Sequence, residues 1–176
     1  MPDVRSTIVD NRQAVEAFIA TARAVPQSAW TRPRAPRKWS PGQVMEHVAM
    51  VYEGARAMLD GTFAGRAAPK VVRPLIRRFA LTPVLKNGRF KTGLRAPAFF
   101  QPPSSPASVD DLSVRLQAAA GAFEAALEQA ARQGRTFVDH PFFGRVDLAD
   151  YSRLQAIHTR HHIQQLGVAT EHPAIV

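Results

Sequence analysis

Cysteine is absent from the 176 residues. That excludes a disulfide framework, a thiolate metal site and a thiol nucleophile belonging to the chain, so any metal must be held through nitrogen or oxygen. Missing too is any apolar run approaching the ~18 residues a membrane helix requires. The opening stretch MPDVRSTIVDNRQ has acidic residues early and no basic run leading into an apolar core, so it does not read as a secretory leader. Between Gly61 and Val109 there are no acidic residues at all, while nine cations stand there: Arg66, Lys70, Arg73, Arg77, Arg78, Lys86, Arg89, Lys91 and Arg95. These absences predict one soluble, cytoplasmic domain spanning 1–176, without a membrane partner.

With 45% hydrophobic residues, a chain of this length can bury a substantial core. Its net charge of +9 lies entirely in the acid-free segment, because the remainder holds 14 residues of each sign. A strongly basic surface attracts anionic partners. This segment carries no nucleic-acid reading motif and is rich in proline, so a solvated connection is favoured over a nucleic-acid interface.

Apolar residues recur with helical spacing from Val4 to Val25, through Ile8, Val15, Phe18, Ile19 and Ala22. A second helix is predicted from Pro41 to about Leu59. Ser40 is placed to cap it, Pro41 to start it, Gln43 to complete a capping box, and Trp39 and Val44 to close a hydrophobic staple. Within the basic segment a short helix can begin at Pro74 and stop before Pro83, and KNGR reads as a tight turn. A third long helix starts at Ser108, runs through Leu112, Leu116, Ala119, Phe123, Ala126 and Leu127, and closes at Gly134. After a loop at HPFFGRV, Asp147 can cap a fourth, with Asp150 in its first turn and Gly167 as its stop. No alternating strand pattern appears. The expected fold is all-α, a four-helix bundle with a long basic crossover, residues 61–107, between helices 2 and 3.

Three of the six histidines lie within IHTRHHIQQL, Ile157 to Leu166. Residues i and i+4 of a helix sit ~5–6 Å apart at Cβ, so His158 and His162 can converge on one ion, and His158 and His161 can as well. His158 shares its helical face with Tyr151, Leu154, His162 and Gln165. On the second helix, His47 has Val44, Met50, Val51, Gly54 and Met58 as wheel neighbours, an apolar face. Three inward imidazoles would form an open three-nitrogen site. The spacing is equally compatible with core histidines satisfied separately, although leaving several buried ring nitrogens unpaired costs ~1–3 kcal/mol each.

At WSPGQVMEHV and HPFFGRVDLADYSRLQAIHTRHHIQQLG the sequence resembles the DinB/YfiT-like metalloprotein superfamily, in particular a subgroup with an HPFFG loop and a C-terminal H-x-x-x-H. The resemblance implies His47, His158 and His162 as ligands of a divalent metal, zinc or nickel foremost and iron also admissible, in a bundle that commonly forms a homodimer. It leaves His161 as a bystander or outer neighbour of a ligand. Relatives include transferases and isomerases that use a low-molecular-weight thiol such as mycothiol, bacillithiol or glutathione. Thr159 after His158 removes the H-E-x-x-H general base of zincins, and Gln164 removes the H-x-x-x-H-x-E pattern of iron sulfoxide synthases. The polar candidates for chemistry are His140, Tyr151 and Gln165, with His140 equally suited to capping the turn before Pro141. Arg77, Arg78, Arg89 and Lys91 are candidates for holding an anionic thiol cofactor. Three expectations follow: a metal-dependent enzyme acting on a small-molecule electrophile by thiol transfer or hydrolysis, a non-catalytic metal-binding or stress-related protein, and last a nucleic-acid binder.

Overall fold

The computed structural model describes residues 3–91, 93 and 95–167. The first amphipathic pattern forms α1 (Val4–Arg23), which ends two residues short of Val25 and buries Ile8, Val15, Phe18, Ile19 and Ala22. In α2 (Pro41–Asp60) the capping box is complete: Gln43 N–H donates to Ser40 Oγ at 3.3 Å and Ser40 N–H donates to Gln43 Oε1 at 3.1 Å. Gly61, at φ 72°, ends that helix in the left-handed region that a β-carbon disfavours.

The connection from α2 is more helical than the sequence suggests. A 3-10 turn, Lys70–Val72, leads into α3 (Arg73–Ile76), a wider π turn over Arg77–Leu81, and α4 (Thr82–Asn87). The expected stop before Pro83 is therefore incorrect. Proline lacks an N–H and its ring clashes with the carbonyl four residues back. The π turn stands at that point and lets the chain stay helical past it. The KNGR turn starts later than its first residue: Lys86 and Asn87 finish α4, and Gly88, at φ 64°, turns the chain out of it with an N–H bond of 2.9 Å to Val84 O.

Ser108 opens α5 (Val109–Arg132), accepting from Asp111 N–H at 3.1 Å, with Asp110 and Asp111 in the first turn, where negative charge meets the helix dipole favourably. The chain then enters an antiparallel hairpin of β1 (Phe137–His140) and β2 (Gly144–Asp147), with Val138 opposite Val146 and both in the core. HPFFGRV is thus half strand rather than loop. Four residues per strand are too few for alternation to stand out.

Asp147 occupies the N-cap position of α6 (Leu148–Ile163), but its side chain makes no capping bond, and Leu148 N–H is taken by Thr136 O at 3.1 Å. The helix also stops short of Gly167. Gln165 N–H and Leu166 N–H fall back on His162 O and Ile163 O in turn geometry, which carries Leu166 into the core.

The chain is mostly helical. The helices α1, α2, α5 and α6 share one core, with α1 against α5 and α6, and α2 against α5 and α6. Phe18, Leu116, Phe123, Leu127, Tyr52 and Tyr151 are fully enclosed there. Inside it, the Tyr52 hydroxyl donates to Asn11 Oδ1 at 2.7 Å and lies 2.9 Å from Thr159 Oγ1, joining α1, α2 and α6. Among the described residues no helix is long and apolar enough to cross a membrane.

The Ser108 cap is solvent-exposed, so its contribution separates cleanly from core packing. Ser108→Ala is expected to lower unfolding free energy by about 1 kcal/mol, and Ser108→Thr to restore most of it. Chemical denaturation of the three proteins side by side checks this.

Candidate metal centre

The site is built by α2 and α6. His47 lies in the first half of α2, whose register is set by the capping box at Ser40. His158 and His162 follow one another a turn apart on α6. The Nε2 atom of His158 is 3.3 Å from Nε2 of His47 and 3.1 Å from Nε2 of His162. Ligand atoms of all three residues lie within 4.8 Å of one another. Two nitrogens bound tetrahedrally at ~2.0–2.1 Å from one ion are ~3.3–3.4 Å apart, so the two distances at His158 Nε2 are close to those of a ligand set.

Tautomers follow from the outer partners. His47 Nδ1 is 2.7 Å from the carbonyl oxygen of Phe100, an acceptor only, so the proton sits on Nδ1 and Nε2 presents a lone pair. His162 Nδ1 is 3.0 Å from Gln165 Oε1, with the same consequence, and the Gln165 amide nitrogen then donates to His161 Nε2 at 3.0 Å. Two lone pairs thus face His158 Nε2, which can donate to only one of them. His158 Nδ1 is buried without a partner. A cation at the convergence point satisfies every inward nitrogen that hydrogen bonding leaves in excess.

Burial keeps these rings neutral. It lowers the pKa of His47 against the opposing effect of the Phe100 carbonyl. It pushes His162 down to about 3, helped by His47 and His161 and opposed by the bond to Gln165. His158 is held well below the usual range, first by burial and then by His162, His47 and His161. Uncharged imidazoles are the form that binds a metal.

The surroundings are aromatic. Trp39 has its ring centre 4.8 Å from that of His47, and Phe90 packs edge-on against His158 at 5.5 Å and tilted against His161 at 5.7 Å. Phe100 comes from a 3-10 turn, Ala98–Phe100, that rests on α2 at Gly54, where a β-carbon would fall 2.6 Å from the Phe100 ring. Sequence reasoning missed Phe90 and Phe100, and treated Trp39 only as a staple. Phe100 acts through its backbone carbonyl, which no side-chain pattern announces.

The other candidates are dispersed. His140 Nδ1 accepts from the N–H groups of Phe142 and Phe143 at 3.1 and 3.3 Å, so it closes the hairpin turn. The Tyr151 hydroxyl, buried, donates to Ala55 O at 3.1 Å. Among the described residues no hydrogen bond or ring contact joins either to the three imidazoles. Only Gln165 touches the cluster. Arg77 is tied to the hairpin through Arg145 O at 2.6 Å, and Arg78 lies over the Phe79 ring at 5.9 Å. Arg89 and Lys91 are exposed and adjoin Phe90 in the sequence.

A family model described as the DinB superfamily matches residues 10–166, which include all three converging histidines. Neither the curated proteins nor the solved structures searched contain a match to this chain.

A buried imidazole with a depressed pKa takes up its proton later than the unfolded chain does, so stability is full above about pH 6.5 and falls as pH drops below it. His140, held near 4 by burial and by Arg73, should alone withdraw about 3 kcal/mol between about pH 6.5 and about pH 4. Unfolding midpoints measured across that interval should fall steadily. They should fall less steeply in His140→Asn, whose side-chain oxygen can still accept from the turn.

Proposed function

The chain belongs to the DinB superfamily, and on that premise we propose that it is a divalent-metal-binding protein whose His47, His158 and His162 form the ligand set of a metal-dependent enzyme. The observation that carries this reading is the convergence of three Nε2 atoms, two of which have their proton fixed on the far side by Phe100 O and Gln165 Oε1. The scaffold reads as a four-helix bundle with residues 61–107 as its crossover, and the HPFFG loop as the mark of a subgroup. Zinc or nickel suits three imidazoles, and iron is admissible.

Bound there, a divalent ion supplies a Lewis acid that lowers the pKa of a thiol or of water and favours developing negative charge. The chain's own residues account for the rest of the reading. Trp39 packs on His47 and Phe90 on His158, shielding those rings from water, while Phe100 holds His47 through its carbonyl. Arg89 and Lys91 offer positive charge where the carboxylates of a low-molecular-weight thiol such as glutathione would lie. No carboxylate joins the three imidazoles among the described residues, so the titratable group beside the cluster is His161, half-buried next to His162, with Gln165 orienting both rings. A chain without cysteine must take any sulfur nucleophile from outside, which favours transfer of a small thiol onto a small electrophile, with hydrolysis as the competing outcome. The reaction site is read as cytoplasmic, and a homodimer as the assembly.

Untagged protein should carry metal in stoichiometric amount by elemental analysis, and His47→Ala and His162→Ala should each abolish it. Gln165→Leu should weaken binding about 10-fold to 100-fold, because the ring it orients is then free to turn. The same proteins should be assayed on a panel of electrophiles with glutathione, bacillithiol, mycothiol or no thiol. Thiol-dependent turnover that disappears in both alanine variants supports the reading. Turnover without thiol replaces transfer by hydrolysis, and metal without turnover makes this a non-catalytic metal-binding protein.

A further inference from the structure

In the first part of the helical stretch of residues 70–87, as far as Phe79, apolar side chains face outward while two arginines are tied to the protein. Arg73 and Arg77, one turn apart, are tied to neighbouring structure: Arg73 donates to Ala68 O at 2.9 Å and to Asp139 Oδ1 at 3.4 Å, and Arg77 donates to Arg145 O. The opposite side presents Val71, Leu75 and Phe79, spaced four residues apart and 87%, 62% and 67% exposed. Elsewhere among the described residues the exposed large apolar side chains, Val9 and Val114, stand singly on different helices. A continuous apolar stripe on an otherwise polar surface marks an interaction face.

Its flanks narrow the choice of partner. Lys70 and Arg78 border the stripe, both are exposed, and neither has an acidic partner among the described residues. The Arg78 guanidinium stands 5.9 Å from the centre of the Phe79 ring, so charge and apolar surface form one unit. A second copy of this chain would bring Lys70 and Arg78 towards their own counterparts, with no acidic residue between 61 and 109 to neutralise them. A nucleic acid would satisfy the cations and leave Val71, Leu75 and Phe79 in water.

The geometry points to an anionic lipid surface as the occupant of this face. Valine, leucine and phenylalanine side chains on the outward side of a helix enter the boundary between headgroups and acyl chains, and lysine and arginine beside them meet headgroup phosphates. Arg73 and Arg77 hold the helix to the protein while its apolar side inserts, so docking needs no rearrangement. The contact is peripheral, made by one short helix lying in the plane of the surface.

The full chain should be sedimented with vesicles of phosphatidylcholine alone and of phosphatidylcholine mixed with an equal part of phosphatidylglycerol. Binding is expected only to the anionic vesicles and should weaken as salt is raised, because screening shortens the reach of the cations. Lys70→Gln and Arg78→Gln should each reduce partitioning about fivefold. Leu75→Ser with Phe79→Ser should reduce it about tenfold or more while leaving the far-ultraviolet circular dichroism unchanged. Phe79→Trp should show a blue-shifted emission on anionic vesicles, which adsorption by charge alone would not produce. The proposal is overturned if anionic vesicles bring down no protein, or if the double serine variant binds them as the parent does. It is overturned in favour of a second copy if that variant converts a dimer to a monomer in analytical ultracentrifugation and leaves vesicle binding unaltered.

Discussion

One buried hydroxyl sets where the converging histidines stand. Tyr52 lies five residues after His47 on α2, and Thr159 directly follows His158 on α6. Their oxygens are 2.9 Å apart in a region closed to water, and Tyr52 also donates to Asn11 on α1. A hydroxyl in that position must find a partner or lose its hydration without compensation. Sliding α6 by one residue along α2 would break this contact and carry His158 away from His47 in the same movement. Burial also raises the Tyr52 pKa, so the phenol keeps its proton and the contact persists at any pH the fold tolerates.

Around that fixed register, charge is kept apart from the imidazoles. Acidic groups near the core are paired with arginines at its margin, as Glu46 and Glu53 are with Arg115, and Glu124 is with Arg12. Among the described residues no carboxylate therefore joins the three imidazoles or raises their affinity for protons. Aromatic rings pack against the imidazoles, where many metal sites place carboxylates. A neutral nitrogen donor set leaves the full positive charge of a bound ion to act on an incoming group.

Much of the centre was legible because it rests on side chains in regular spacing. The i, i+4 pair at His158 and His162, the apolar face of His47 and the capping box at Ser40 each follow from local chemistry, and the structure places those side chains together. The illegible parts rest on backbone. Phe100 orients His47 through a carbonyl, the hairpin at Phe137 to Asp147 is too short to show alternation, and the helix through Pro83 depends on a turn geometry that no composition encodes. His140 and Tyr151 were selected for their polarity. Each turns out to spend it on a neighbouring main chain, a use that polarity alone does not distinguish from chemistry.

The π turn at Arg77 to Leu81 joins two halves of one helix. At its end and just beyond it, Leu81 and Val84 are buried in the core; before it, Val71 and Leu75 are exposed. A π turn holds one residue more than an α turn. Deleting a single residue there would let the turn relax to α geometry with the two halves still in phase, because the wider turn spreads its extra residue over the same full rotation. Val71 and Leu75 would still face outward, and Arg73 and Arg77 would still face the hairpin. The width of this turn thus stores one residue of chain length that the molecule can lose without changing which chemistry it shows to its surroundings, separable from the packing that holds its histidines.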